Sequence, residues 1–156
     1  MTMTPTIHPA LALVFLAASV VSTHADWEGT EWGMSPEAAL SVMEGAQAHQ
    51  PAASEIFEFD GAKYDPLVIT EHSIGGIAGN AALLFDSDKA LQFVAFSPAD
   101  LTQCDALAQE LTAIHGSTEP SGFGSTAIYN WDDGVNVVRL TNSVDIGICN
   151  LTWGSH

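Results

Sequence analysis

The sequence predicts an α+β fold in which two helices cover one face of an antiparallel sheet. Two segments begin with the helix-start dipeptide Ser-Pro, and each precedes a group of short runs rich in β-branched and aromatic residues. The later runs are joined by links too short for the crossovers that parallel strands need. This repeated order of helix and strands also favours a degenerate duplication of an α-β-β-β unit.

The first predicted helix covers residues 36–47. Ser35 is suited to cap it, Pro36 to occupy its first position, and Glu37 to lie near the positive end of the helix dipole. Residues 27–34 are interpreted as a short tether or an edge strand. Apolar side chains recur within the helix at helical spacing: Ala39, Leu40, Val42, Met43 and Ala46.

Four short strands are predicted between the two helices. Their turns are indicated by Asp60-Gly61, by the loop 86–89 and by the glycines at 75, 76 and 79, which favour a turn or a bulge. The predicted strands are 56–59, 67–70, 81–85 and 91–96.

The second helix carries the clearest pattern in the chain. Ser97 and Pro98 repeat the start chemistry of the first helix, with Asp100 three residues after the cap, and Gly116 is suited to end it. His115 in the last turn is interpreted as a dipole-stabilising residue rather than a catalytic one. The apolar face is formed by Leu101, Cys104, Leu107, Ala108, Leu111 and Ile114.

Three further strands are predicted to close the chain, over 127–131, 135–140 and 144–153. Asp132-Asp133-Gly134 favours a hairpin between the first two strands, and 141–143 favours a turn before the last strand.

Residues 1–25 are predicted to be an export signal. The apolar stretch 10–21 is shorter than the roughly 20 residues that a membrane-spanning helix needs, and small side chains precede a cleavage site before Asp26. The leader departs from the usual pattern because it has no Lys or Arg. We therefore expect residues 26–156 to form one periplasmic or secreted domain that keeps no stable membrane anchor.

Export makes the cysteine content informative. Cys104 and Cys149 are the only cysteines, and an oxidising compartment favours their pairing. Two free buried thiols or a redox pair are the alternatives, but no C-x-x-C motif is present, and neither cysteine has a convincing set of metal-ligand neighbours. We predict a structural disulfide that joins the second helix to the last strand.

The charge balance excludes one class of partner and favours another. The chain has 19 acidic and 3 basic residues, a net charge of −16. Nucleic-acid binding is excluded because phosphate contacts need many cations, and only Lys63, Lys89 and Arg139 are present. The same charge disfavours docking on an anionic membrane and steers basic proteins toward the domain.

The segment Trp32-Gly33-Met34-Ser35-Pro36-Glu37 resembles the start of small exported proteobacterial proteins of unassigned function. In those proteins a W-G-M-S/T-x-E segment precedes the first helix, and a helix cysteine and a terminal-strand cysteine recur. Cys104 and Cys149 match those landmarks. The resemblance implies a periplasmic or secreted protein and transfers no catalytic residue. The element order is also similar to that of β-lactamase-inhibitor-like domains, which bind other proteins.

No catalytic, cofactor or metal motif is present: the sequence lacks H-E-x-x-H, G-x-S-x-G and Walker patterns. We therefore predict no catalytic residue, no metal and no cofactor. Acidic turns near Asp60, Asp86 and Asp132 leave a calcium-stabilised structural module as one alternative, and the abundant carboxylates leave an envelope hydrolase as another. The tryptophans are interpreted mainly as core or sheet-edge residues, and Trp27 and Trp32, which lie beside acids in a weakly periodic stretch, are the best candidates for an exposed binding surface.

These observations lead to one functional hypothesis. We expect a small exported domain without enzymatic activity that binds a basic protein through an acidic surface, and basic muramidases of the lysozyme type are one class of target. The competing interpretation is that the charge serves only to keep the domain in solution.

Overall fold

A computed structural model describes residues 27–155, and the predicted export signal lies outside them. The two helices are α1, Pro36–Val42, and α2, Cys104–His115. The strands are β1 Gln47–Ala48, β2 Phe57–Phe59, β3 Ala62–Ile74, β4 Ile77–Phe85, β5 Leu91–Pro98, β6 Ala127–Asp132, β7 Asn136–Ser143 and β8 Ile148–Ser155. Within this part of the chain, no helix has the length and apolar character needed to cross a membrane.

The strands form one antiparallel sheet in the order β1-β3-β4-β5-β8-β7-β6, with β2 paired to the start of β3. The meander β6-β7-β8 follows α2 directly, whereas the short strands β1 and β2 lie between α1 and the meander β3-β4-β5. The last strands of the two meanders, β5 and β8, pair at the centre of the sheet. The predicted α+β class with an antiparallel sheet is confirmed. The arrangement of the two meanders fits the predicted α-β-β-β repeat.

Both helices pack on the same face of this sheet. Met43, directly after α1, and Leu107 and Leu111 of α2 belong to one buried cluster with the inward-facing strand side chains. Fully burying a side chain of this kind contributes about 1.5–3 kcal/mol, so the helix-covered face supplies the main apolar stabilisation of the fold. The largest fully buried strand side chains are Phe85, Phe96, Leu83, Leu91, Leu140 and Leu151.

Helix α1 is shorter than predicted. Ser35 caps it as expected, accepting a hydrogen bond from the Ala38 N–H at 3.3 Å. The helix ends at Val42 because Met43 already has an extended backbone, with φ −103° and ψ 111°, and Gly45 adopts a φ of +79° that redirects the chain into β1. The sequence predicts helix over residues 43–47 as well, because the helical spacing of apolar residues continues through Ala46, past the point where the chain turns.

Helix α2 begins later than predicted. Strand β5 continues through Pro98, which pairs with Gly79 of β4, so Ser97 belongs to the strand and does not cap the helix. Asp100 is the cap: its Oδ1 accepts from the Thr102 N–H at 3.0 Å, and a 3-10 turn then leads into α2. The predicted end is confirmed, since Gly116 follows the last helical residue with φ +95°.

The predicted disulfide is confirmed. Cys104, the first residue of α2, is bonded to Cys149 on β8 with a Cα–Cα distance of 5.8 Å, and both residues are buried. Beside it, Asn142 Nδ2 on β7 donates to Asp105 Oδ1 at 2.7 Å. The start of α2 is therefore fixed to two strands, and an intramolecular disulfide is typical of proteins outside the cytoplasm.

Candidate functional site

The two tryptophans predicted to form a binding surface lie against the core. Trp27 is 3 % exposed, with its ring centroid 5.8 Å from that of Trp153, so it is a core residue and not the exposed binding residue for which it was a candidate. Trp32 is half-buried, and its Nε1 donates to Asn136 Oδ1 at 3.0 Å. Backbone hydrogen bonds between Gly33–Met34 and Leu91 hold this segment to the sheet, a long-range pairing that local periodicity does not reveal.

The histidines among residues 27–155 lie beside carboxylates or aromatic rings. His72 Nδ1 is 3.4 Å from Glu28 Oε1, and its ring centroid is 4.5 Å from that of Trp27. The His115 ring at the end of α2 lies 5.1 Å from the Trp153 ring. His49 Nε2 is 3.1 Å from Glu55 Oε1 in the loop before β2.

The acidic turns bind their own backbone. Asp133 Oδ1 accepts from the N–H groups of Val135 and Asn136, at 2.9 and 2.7 Å. The Asn136 N–H, followed by that of Val135, lowers the pKa of Asp133. The Thr102 hydroxyl and N–H lower the pKa of Asp100. Among residues 27–155, no group of three or more His, Cys, Asp or Glu side chains could hold a metal ion.

The side of the sheet opposite the helices, here called the uncovered face, carries three rows of side chains because antiparallel partners lie side by side. The central row is Asn130, Arg139, Thr152, Ala95, Ala82 and Ile69. One flanking row is Ile128, Thr141, Asn150, Ser97, Asn80 and Glu71. The other is Asp132, Val137, Gly154, Phe93 and Leu84.

The middle of the uncovered face is low and flat because its side chains are small. Ala82 and Ala95 are direct neighbours in the central row, and Thr152 follows them. In the flanking row, a Cβ on Gly154 would lie 2.6 Å from Phe93 Cδ1, so only glycine lets the Phe93 ring lie across β8 at this point. Larger side chains stand at both ends of the face, and a pocket lies at each end.

One end of the uncovered face forms an acidic groove of about 770 Å³. Glu44, from the turn after α1, and Glu71, from β3, contribute its two carboxylates, and both residues are exposed. An adjoining hollow shares Glu71 and Asn80 and adds Glu28. The other main lining residues of the groove are Gln47, Ile69, Asn80, Ala82, Ala95 and Ser97, so the described residues that line it include no Lys or Arg.

The other end forms a second cavity of about 400 Å³, here called the aromatic pocket. Strand β2 folds over this end, so that the ring centroids of Phe57 and Phe59 lie 6.0 and 5.8 Å from that of Phe93. Tyr64 supports Phe93 edge-on at 4.9 Å. The polar residues that line the aromatic pocket are Asn130, Arg139, Thr141, Asn150, Thr152 and Ser155.

Neither pocket is evident from the sequence. Glu44 and Glu71 stand in different elements, as do Phe59 and Arg139, and only the sheet brings each pair to one cavity. One available signal was the Phe-x-Phe pattern at 57–59, which places two rings on one side of a strand that is too short to bury both.

No protein-family model matches the chain, and comparisons with curated proteins and with solved structures also give no match.

Proposed function

We propose that this protein is a non-enzymatic binding domain, periplasmic or secreted, that recognises a basic segment of another protein in the acidic groove. The observation that carries the proposal is the groove itself. Its two carboxylates, on Glu44 and Glu71, have no ion-pair or hydrogen-bond partner among residues 27–155. Two uncompensated negative charges that line the same concave surface favour a cationic occupant.

The lysines of the chain do not supply that cation. Lys63 Nζ lies 3.2 Å from Glu58 Oε1, and Lys89 Nζ lies 2.9 Å from Asp65 Oδ2, both away from the groove. The carboxylates of the groove are therefore available to a Lys or Arg side chain of a partner. An Arg guanidinium would fit best because its planar fork can donate two hydrogen bonds to one carboxylate.

The floor and rim of the groove suit an extended segment of polypeptide. Ala82 and Ala95 leave room for a side chain above the sheet, while Gln47, Asn80 and Ser97 offer donors and acceptors around it. A small apolar centre with a polar rim is the usual composition of a protein-binding surface.

The net charge of −16 adds long-range attraction to this local complementarity. Such a field raises the association rate of a basic partner, and salt screens it over about 10 Å at 0.1 M. Binding should therefore weaken as salt increases, and basic muramidases of the lysozyme type remain one class of target.

The test is affinity capture from cell-envelope and culture extracts at low and high salt, using protein expressed from the full chain. The captured protein is then titrated with the wild type, with the Glu44→Gln/Glu71→Gln double variant, and with the Glu119→Gln/Asp145→Asn double variant. Both variants lose two negative charges, but the second pair is exposed outside the groove. The comparison therefore separates the groove from the overall field.

We expect one stoichiometric basic partner that is released by salt and whose affinity falls at least tenfold in the groove variant, with little change in the control. Equal affinity for the two variants would exclude the groove as the site. Capture of no partner at either salt concentration would overturn the binding function.

A further inference from the structure

We propose that the aromatic pocket is a second binding site, which takes a small organic carboxylate with an apolar body. The carboxylate would lie against the Arg139 guanidinium, and the apolar body against Phe57, Phe59 and Phe93. This site is separate from the acidic groove and does not depend on the proposed partner.

Arg139 is the exception among the three basic residues of the chain. Lys63 and Lys89 each lie beside a carboxylate of the chain. Arg139 has no ion pair and no side-chain hydrogen bond among residues 27–155, although the chain carries 19 acids. An arginine left unpaired in so acidic a protein is available to an anion from outside.

The surroundings of Arg139 favour an anion locally. The lining of the aromatic pocket contains no Asp or Glu, so no carboxylate on its walls competes for the guanidinium. On either side in the central row stand Asn130 and Thr152, whose side chains can donate hydrogen bonds to the same anion. A carboxylate is the expected class because the guanidinium fork matches its two oxygens.

The phenylalanine rings that line the aromatic pocket favour an anion that carries an apolar group. Phe59 is 49 % exposed although it is a large apolar residue, and Phe57 and Phe93 pack with it into one ring cluster. The volume of about 400 Å³ falls within the range typical of small-molecule sites. An apolar wall that faces a few polar groups is the usual design of such sites, whereas a free inorganic anion would leave the rings exposed.

The proposal is tested by NMR titration of protein expressed from the full chain with 3-phenylpropanoate, octanoate and the neutral 3-phenylpropanamide. Four proteins are compared: the wild type, Arg139→Gln, Phe59→Ala and Lys89→Gln. Lys89→Gln removes one positive charge outside the aromatic pocket and is the control for Arg139→Gln. Thermal melting confirms that each variant is folded.

We expect at least one of the two carboxylates to shift the signals of residues that line the aromatic pocket. Arg139→Gln should weaken its binding about tenfold or more, Phe59→Ala should weaken it several-fold, and Lys89→Gln should leave it within about twofold. The amide should bind as weakly to the wild type as the carboxylate binds to Arg139→Gln.

Absence of shifts at the pocket with both carboxylates at millimolar concentration would overturn the proposal, as would equal binding of acid and amide. Sedimentation of the same samples gives a third decisive result. A wild-type dimer that Arg139→Gln dissociates would show that a second copy of the chain occupies the pocket.

Discussion

Individual aspartates stabilise the turns of this molecule by accepting hydrogen bonds from the backbone N–H groups of residues that follow them. Asp86 accepts from Asp88 and Ala90, and Asp133 from Val135 and Asn136. These bonds form with the charged carboxylate and account for the lowered pKa of Asp133. The turn aspartates are therefore explained by local hydrogen bonding.

Asp133 gives a pH-dependent prediction. Its pKa is lower in the folded chain than in the unfolded chain, so its stabilisation is complete above the ordinary aspartate pKa and is lost as pH falls through the folded value. We expect Asp133→Asn to lower the melting temperature slightly at pH 7 and to match the wild type more closely below about pH 4.

The measurement is thermal unfolding at pH 7, 5 and 3. Asp88→Asn, which removes an exposed aspartate in another turn, controls for the loss of one charge. A melting-temperature difference between Asp133→Asn and the wild type that grows on acidification would contradict the explanation.

At the scale of secondary-structure elements, the start of α2 shows how a strand can displace a helix signal. Ser97-Pro98 has the chemistry of a helix start, but both residues continue the pairing of β5 with β4. The helix therefore begins only where Asp100 can accept from the N–H and the hydroxyl of Thr102, at 3.0 and 2.6 Å. Sheet pairing overrides the local preference of the Ser-Pro dipeptide.

This displacement is testable by two alanine substitutions. Asp100→Ala should lower the melting temperature because two donors at the start of the helix lose their acceptor. Ser97→Ala should have the smaller effect, since the Ser97 side chain makes only a long 3.5 Å hydrogen bond to Asn150. A larger effect of Ser97→Ala would contradict this explanation and support Ser97 as the cap of α2.

The disulfide joins two elements that are far apart in the chain. It closes a loop with a sequence separation of 45, for which the chain-entropy model gives a stabilisation of about 4 kcal/mol. We expect Cys104→Ala/Cys149→Ala to lose roughly that amount in urea unfolding, and thiol alkylation without reductant to leave both wild-type cysteines unmodified. A loss below about 1 kcal/mol would show that contacts such as Asn142–Asp105 hold α2 without the bond.

At the scale of the whole molecule, the uncovered face carries two carboxylates in the groove at one end and one guanidinium in the aromatic pocket at the other. The acidic groove, which includes Ala95, and the aromatic pocket, which includes Thr152, meet where these two residues pair across β5 and β8. The net charge of −16 surrounds both, but only the groove presents carboxylates to a ligand. The two proposals together therefore place a cationic group and an anionic group on one face.

The net charge also predicts the response of stability to salt. Self-repulsion destabilises the compact state, and screening reduces it, so the melting temperature should rise by several degrees between about 10 mM and 300 mM NaCl. Calcium chloride at matched ionic strength should give the same increase. A larger increase with calcium, reversed by a chelator, would favour the calcium-stabilised module instead.

Much of the fold could be predicted because the signals are local. Ser35 caps α1 through its own side chain, Gly116 ends α2 with a backbone conformation that suits glycine, and Asp60-Gly61 turns β2 into β3. The alternating strand runs and the short links between them were sufficient to predict an antiparallel sheet. The cysteine pairing could be predicted because the chain has only two cysteines and a predicted export signal.

The binding surface depended on contacts between distant parts of the chain. Sequence could not show that Trp27 is buried, because the Trp153 ring it packs against lies at the other end of the chain. Nor could it show that Glu44 and Glu71 line one groove, or that Arg139 and Phe59 line one pocket, because the pairing of distant segments brings them together. Local chemistry determined the elements, the disulfide and the acidic character. Only the tertiary structure decided which face stays uncovered and which charges meet there, because pairing between distant strands creates both.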